Sequence, residues 1–140
     1  NGAGTVFVCK LDGSVFNMSL GKGTGQGLLA FTPLSGDARC DYVVARGKTL
    51  TAAAYEGNTL KTLYQKQLPA VPDTLFAVGD NRVGALNRSK RQILLLDANG
   101  LHPDFPLAGT TPFVVHEFSS KQGPVLVVGD GSSVYAYKIR

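Results

Sequence analysis

The chain has 140 residues, 44% of them hydrophobic and 17% charged, and its net charge is +4. That content suffices to bury a core as one globular domain and excludes an intrinsically disordered chain. No run of about 18 apolar residues occurs, which excludes a membrane-spanning helix, and the mild basic excess without any Trp argues against a nucleic-acid platform.

The start, Asn1-Gly2-Ala3-Gly4, has no Met and no apolar signal core, so the chain reads as a piece of a longer protein. The first strand signal is Val6-Phe7-Val8-Cys9, followed by an Asp12-Gly13 turn and a strand over Ser14 to Leu20. Gly21 to Gly27 is rich in glycine and superficially phosphate-binding in composition. No helix opens after it, because Leu28-Leu29-Ala30-Phe31 begins a strand, so a flexible connection is expected.

Strands are then expected at Leu28 to Thr32, Tyr42 to Ala45 and Leu50 to Ala53. Ala52-Ala53-Ala54 favours a helix locally, but Gly57-Asn58 interrupts it and predicts a hairpin into Thr59 to Leu68. Further strands follow at Thr74 to Val78, Val83 to Asn87, Ile93 to Leu96 and Leu101 to Leu107. The last are Pro112 to Phe118, Val125 to Val128 and Val134 to Tyr137.

Four of these segments form one repeating pattern, starting at Val6, Leu50, Ile93 and Val134 with spacings of 44, 43 and 41 residues. A period near forty built from strands predicts stacked four-stranded blades. The expected fold class is all-β, a β-propeller-like array of about three four-stranded antiparallel blades in an incomplete, open ring. The expected divisions are a partial blade over 1–22, blades over 23–69 and 70–109, and a last blade over 110–140 that lacks its outer strand. Within each blade the strands are lettered a to d from inner to outer edge, the repeating pattern being strand c. About three blades do not close a ring of 4 to 8. The open ends are therefore expected to meet upstream blades, another protein chain or a second copy of this one.

Two stretches carry a resemblance. Ile93 to Gly100 with Phe105 to Phe113, and Val127 to Gly131 with Val134 to Tyr137, resemble the blades of PQQ-like and FG-GAP-like β-propellers. They are most similar to the propeller-like C-terminal region of uncharacterised cell-envelope proteins of Bacteroidetes. The resemblance implies a location in the cell envelope or periplasm. The Trp-rich docking motifs of PQQ-dependent dehydrogenases are absent. Glu117 to Gly123 holds one carboxylate and a Lys where FG-GAP repeats often carry an acidic calcium loop, and calcium favours several carboxylates. No cofactor and no metal is expected.

Residues able to do chemistry are few. His102 precedes Pro103 in a loop and His116 lies in a strand, with no ligand spacing between them. Asp130-Gly131-Ser132-Ser133 lacks the strand-to-helix elbow of a nucleophilic serine and reads as a hairpin turn. Asn17-Met18-Ser19 and Asn87-Arg88-Ser89 fit the glycosylation pattern, which is common by chance. Cys9 and Cys40 are too few for a disulfide framework and are expected as buried free thiols in strands. The turns from strand b to strand c carry Arg46 and Lys48 in one blade and Arg88, Lys90 and Arg91 in the next. These five cations are expected on one face, as a candidate surface for an acidic partner. The expected function is a non-enzymatic protein-interaction or scaffolding module of a larger envelope protein, using open blade edges or this basic face. The alternative is a fragment of a cofactor- or glycan-binding propeller enzyme. No nucleic acid and no direct membrane insertion is expected.

Overall fold

Alternating apolar residues between glycine-bearing turns give a chain of antiparallel strands with no helix among the described residues. The computed structural model describes residues 5–9, 11–19, 27–37, 39–57, 59–79, 81–118 and 123–140. A hairpin pairs β1 (Thr5–Cys9) with β2 (Val15–Ser19). Sheet I has the order β3 (Gly27–Thr32), β4 (Asp41–Arg46), β5 (Thr49–Glu56) and β6 (Thr59–Gln67).

Sheet II contains β7 (Thr74–Ala77), β8 (Val83–Asn87) and β9 (Gln92–Asp97), with β10 (Gly100–Leu101) and β11 (Leu107–Ala108) both paired to β9. Sheet III contains β12 (Phe113–Glu117), β13 (Pro124–Asp130) and β14 (Ser133–Lys138). None of the three sheets is closed or curled on itself.

The four copies of the repeating pattern all lie in strands, namely β1, β5, β9 and β14. The hairpin expected around Glu56-Gly57-Asn58 joins β5 to β6, with Glu56 opposite Thr59. Sheet I has the expected four strands and sheet III the expected three. Sheet II departs from four, because its outer strand is two short pieces. Between them, the His102 amide donates to the Leu95 carbonyl and Phe105 turns into the core. The side chain of Phe105 then packs near Phe113, with ring centroids 6.5 Å apart. Burial of that ring draws the segment out of the ladder that the alternation predicts.

The core is continuous across the three sheets. Sheet I contributes Ala30, Val43, Ala45, Leu50 and Ala52, which by register share one face. Sheet II is buried on both faces. One face carries Leu75, Val83, Ala85, Leu94 and Leu96; the other carries Phe76, Gly84, Leu86, Ile93 and Leu95. This explains why Ile93 to Leu96 is a continuous apolar run, not an alternating one. Sheet III contributes Phe113, Leu126 and Val128. Full burial of one such leucine is worth about 1.5–3 kcal/mol relative to exposure.

The junction between sheets II and III is close. The Phe76 and Phe113 rings meet edge to face at 5.0 Å. A Cβ on Gly84 would collide with the Phe76 ring, and one on Gly109 would lie 2.6 Å from a Val128 methyl. The junction of sheets I and II includes a hydrogen bond of 2.9 Å from the Tyr64 hydroxyl to the Asp97 carbonyl.

Candidate functional site

Three regions are candidates for a functional site: the turns that carry the basic residues, a polar cleft beside sheet II, and the end of the stack at sheet III. The turns leading into β5 and β9 are each held by the segment that follows the outer strand of the same sheet. The Leu68 amide donates to the Lys48 carbonyl at 2.8 Å, and the Gly109 amide to the Arg91 carbonyl at 3.1 Å. Lys48 and Arg91 are each the residue just before their strand, β5 or β9, so one hydrogen bond recurs at equivalent places in sheets I and II.

The five cations differ in environment. Arg46 is buried at the end of β4 and is engaged with a neighbour. Arg91 sits at a φ of +52°, where its turn needs a left-handed residue and has no glycine. Its guanidinium spans the sheet II–III junction and binds Asp130 through two hydrogen bonds of 3.1 and 2.5 Å. Hydrogen bonding from Arg91 holds the Asp130 carboxyl below its ordinary range, and the Arg91 pKa is raised in return. Lys48, Arg88 and Lys90 are exposed. Asp73 lies beside Arg88, its carboxylate accepting the Arg88 amide. Arg91 is exposed as well, its side chain 64% accessible despite the pair, so four of the five face solvent and three of those are not tied to Asp130.

The remaining candidates fall as follows. Asp130-Gly131-Ser132-Ser133 is a two-residue hairpin turn, with Gly131 at a φ of +63°. His102 Nε2 contacts the Arg140 carbonyl at 2.8 Å, and His116 is exposed with its ring against Phe118. Among the described residues, no group of three or more His, Cys, Asp or Glu is placed to hold a metal ion. Asn87 uses its amide within the fold, donating to the Val71 carbonyl and accepting from Ser89 and Lys90. Gly21 to Gln26 lies outside the described residues. The cysteine expectation is corrected: Cys9 ends its strand, Cys40 precedes one, and both are exposed. Cys40 precedes β4, whose first residue in the apolar core is Val43, and Cys9 ends a strand of the separate β1–β2 hairpin.

A polar cleft of about 350 Å³ lies between the loop after β3 and two turns of sheet II, lined by Ser35, Asn81, Arg82, Asp97 and Asn99 among others. Sequence reasoning missed it, since Ser35 lies 46 positions before Asn81, the nearest named member across the repeat junction. Its neighbourhood is built on Asp41, a buried carboxylate that accepts the Ser35 amide.

The open end is the most distinctive region. By the register of sheet III, Val114, His116, Val125, Val127, Val134, Ala136 and Lys138 share the face turned away from sheet II. Val114 is 62% and Val134 74% exposed, and Phe118, just past β12, is 63% exposed. Lys138 carries the one full charge among the strand residues on this face. Among the described residues β14 also has no strand on its far side, and it presents Val134, Tyr135 and Ala136 to solvent. At the other end of the stack, Leu29 and Phe31 are also exposed, with Phe31 against Tyr42 at 5.1 Å.

No family model, curated protein or solved structure matches the chain.

Proposed function

We propose that the chain is an open segment of a β-propeller-like array that works as a non-enzymatic protein-docking module, with sheet III as its docking end. The observation that carries this reading is the apolar outer face of sheet III, which continues the packing order of the stack. Sheet I is covered by sheet II and sheet II by sheet III, through one kind of apolar contact. The outer face of sheet III repeats that chemistry with valines and one aromatic ring. The occupant is accordingly a further sheet belonging to another protein chain. A patch of this kind is costly to leave in water and marks an interaction surface. The likeness of Ile93 to Tyr137 to envelope-protein repeats favours a scaffold of the cell envelope as the setting.

Lysine substitutions at Val114 and Val134 test the reading. Both side chains lie in water, so the isolated chain keeps its melting temperature while an apolar reporter dye no longer binds it. A fall of many degrees would show that the face is already covered within the chain, and the reading would be lost.

A further inference from the structure

We propose that the outer edge of β14 is a strand-acceptor site, which takes an extended segment of a separate protein chain antiparallel to β14 with its last paired residue opposite Ser133. This rests on the docking reading above and specifies what the partner inserts. The register comes from the two completed sheets. In sheet I the first residue of the third strand, Thr49, pairs with the last residue of the outer strand, Gln67. In sheet II the equivalent pair is Gln92 and Ala108. In both, the next residue donates its amide to the carbonyl just before the third strand, from Leu68 to Lys48 and from Gly109 to Arg91.

The equivalent carbonyl in sheet III is that of Ser132, and among the described residues it receives no such bond. Ser133 is the first residue of β14. A guest strand in the same register sets its last paired residue against Ser133 and gives its next amide to the Ser132 carbonyl. The side chains define what it should carry. Tyr64 lies opposite the small Ala52 in sheet I, and the corresponding position in β14 is Ala136, again small. The guest therefore carries a large, ring-bearing or branched residue three places before its last paired one. Strand addition of this kind draws its affinity from main-chain hydrogen bonds and its selectivity from alternate side chains. The edge has little to repel a guest. Its central residues are apolar, and Lys138 at one end is the charged residue of the kind that blunts natural edges.

The test uses the full chain and a fluorescent peptide with the sequence of residues 59–68, the chain's own outer strand. The peptide aligns Tyr64 with Ala136, Gln67 with Ser133 and the Leu68 amide with the Ser132 carbonyl. The expected result is saturable binding with Kd below about 1 mM, together with slowed amide exchange in β14. A Lys66→Pro peptide, which removes one of the amides aimed at β14 in this register, those of residues 64, 66 and 68, is expected to bind at least about tenfold more weakly. Absence of saturation by about 1 mM, equal binding of the proline peptide, or exchange unchanged in β14 overturns the proposal. So does a chain that dimerises on its own with β14 already protected, because a second copy would then hold the edge. Val114→Lys, on the face but away from the edge, keeps peptide binding while losing dye binding. Failure of the peptide with normal dye behaviour thus removes the strand acceptor alone, and failure of the face variants removes the docking reading itself.

Discussion

Sheets I and III follow the same strand order but end differently. Sheet I finishes on β6, a nine-residue strand whose exposed positions are polar. Gln65 and Gln67 reach back to Thr51 and Thr49 on β5, and Lys61 approaches Glu56 at 3.6 Å. Such an edge satisfies its side chains locally and resists further pairing. Sheet III stops one strand earlier, on β14, where Val134, Tyr135 and Ala136 face water. The comparison teaches that exposure of a strand edge is not by itself a docking signal. An edge of polar residues bonded to their neighbours is finished; one of apolar residues beside a carbonyl that accepts no such bond among the described residues is the edge proposed for docking.

Breaking the shared core should affect both ends alike and most strongly. Leu95→Ala in β9, fully buried, is expected to cost about 3 kcal/mol, seen as a shifted denaturant midpoint, and Leu126→Ala about the same. Next comes the sheet II–III junction: Gly109→Ala drives a Cβ against Val128 and Ile93 and should cost about 2 kcal/mol by overpacking. At the other junction, Tyr64→Phe removes the bond to the Asp97 carbonyl and should cost about 1 kcal/mol. Burial, and secondarily Asp97, already pushes the Tyr64 hydroxyl pKa up, so it remains a donor throughout the neutral range.

The Arg91–Asp130 pair gives an effect confined to acid. Since the folded-state pKa of Asp130 lies below its ordinary value, the pair contributes stability above that value and loses it as pH falls through the folded pKa. Melting curves of Asp130→Asn should therefore show a shallower acid decline than the parent, and an unchanged decline would show that the pair is not linked to folding. The smallest effect on stability is expected at the open face, where Val134→Lys should stay within about 0.5 kcal/mol.

Much of this organisation is legible in the sequence, because strand period and turn chemistry are local. Val6, Leu50, Ile93 and Val134 announce four equivalent strands, and Asp130-Gly131-Ser132-Ser133 announces its hairpin. What is not legible depends on neighbours one repeat away. The ion pair joins residues 39 positions apart, and nothing near Arg91 marks Asp130 as its partner. The break in the outer strand of sheet II follows from Phe105 finding the core beside Phe113, which alternation alone does not reveal. The residue type of Cys9 and Cys40 favours burial, whereas each lies at or just beyond a strand end and is exposed. The open face is half legible: a missing outer strand follows from counting segments, but the exposure of Val114, Phe118 and Val134 needs the stack.

The most direct measurement is methyl-resolved NMR of the dilute chain with a soluble paramagnetic agent, comparing the two faces of sheet III. The account predicts strong broadening of the Val114 and Val134 methyls, with those of Leu126 and Val128 unaffected. Equal protection of both sets would contradict it, because the outer face would then already be filled.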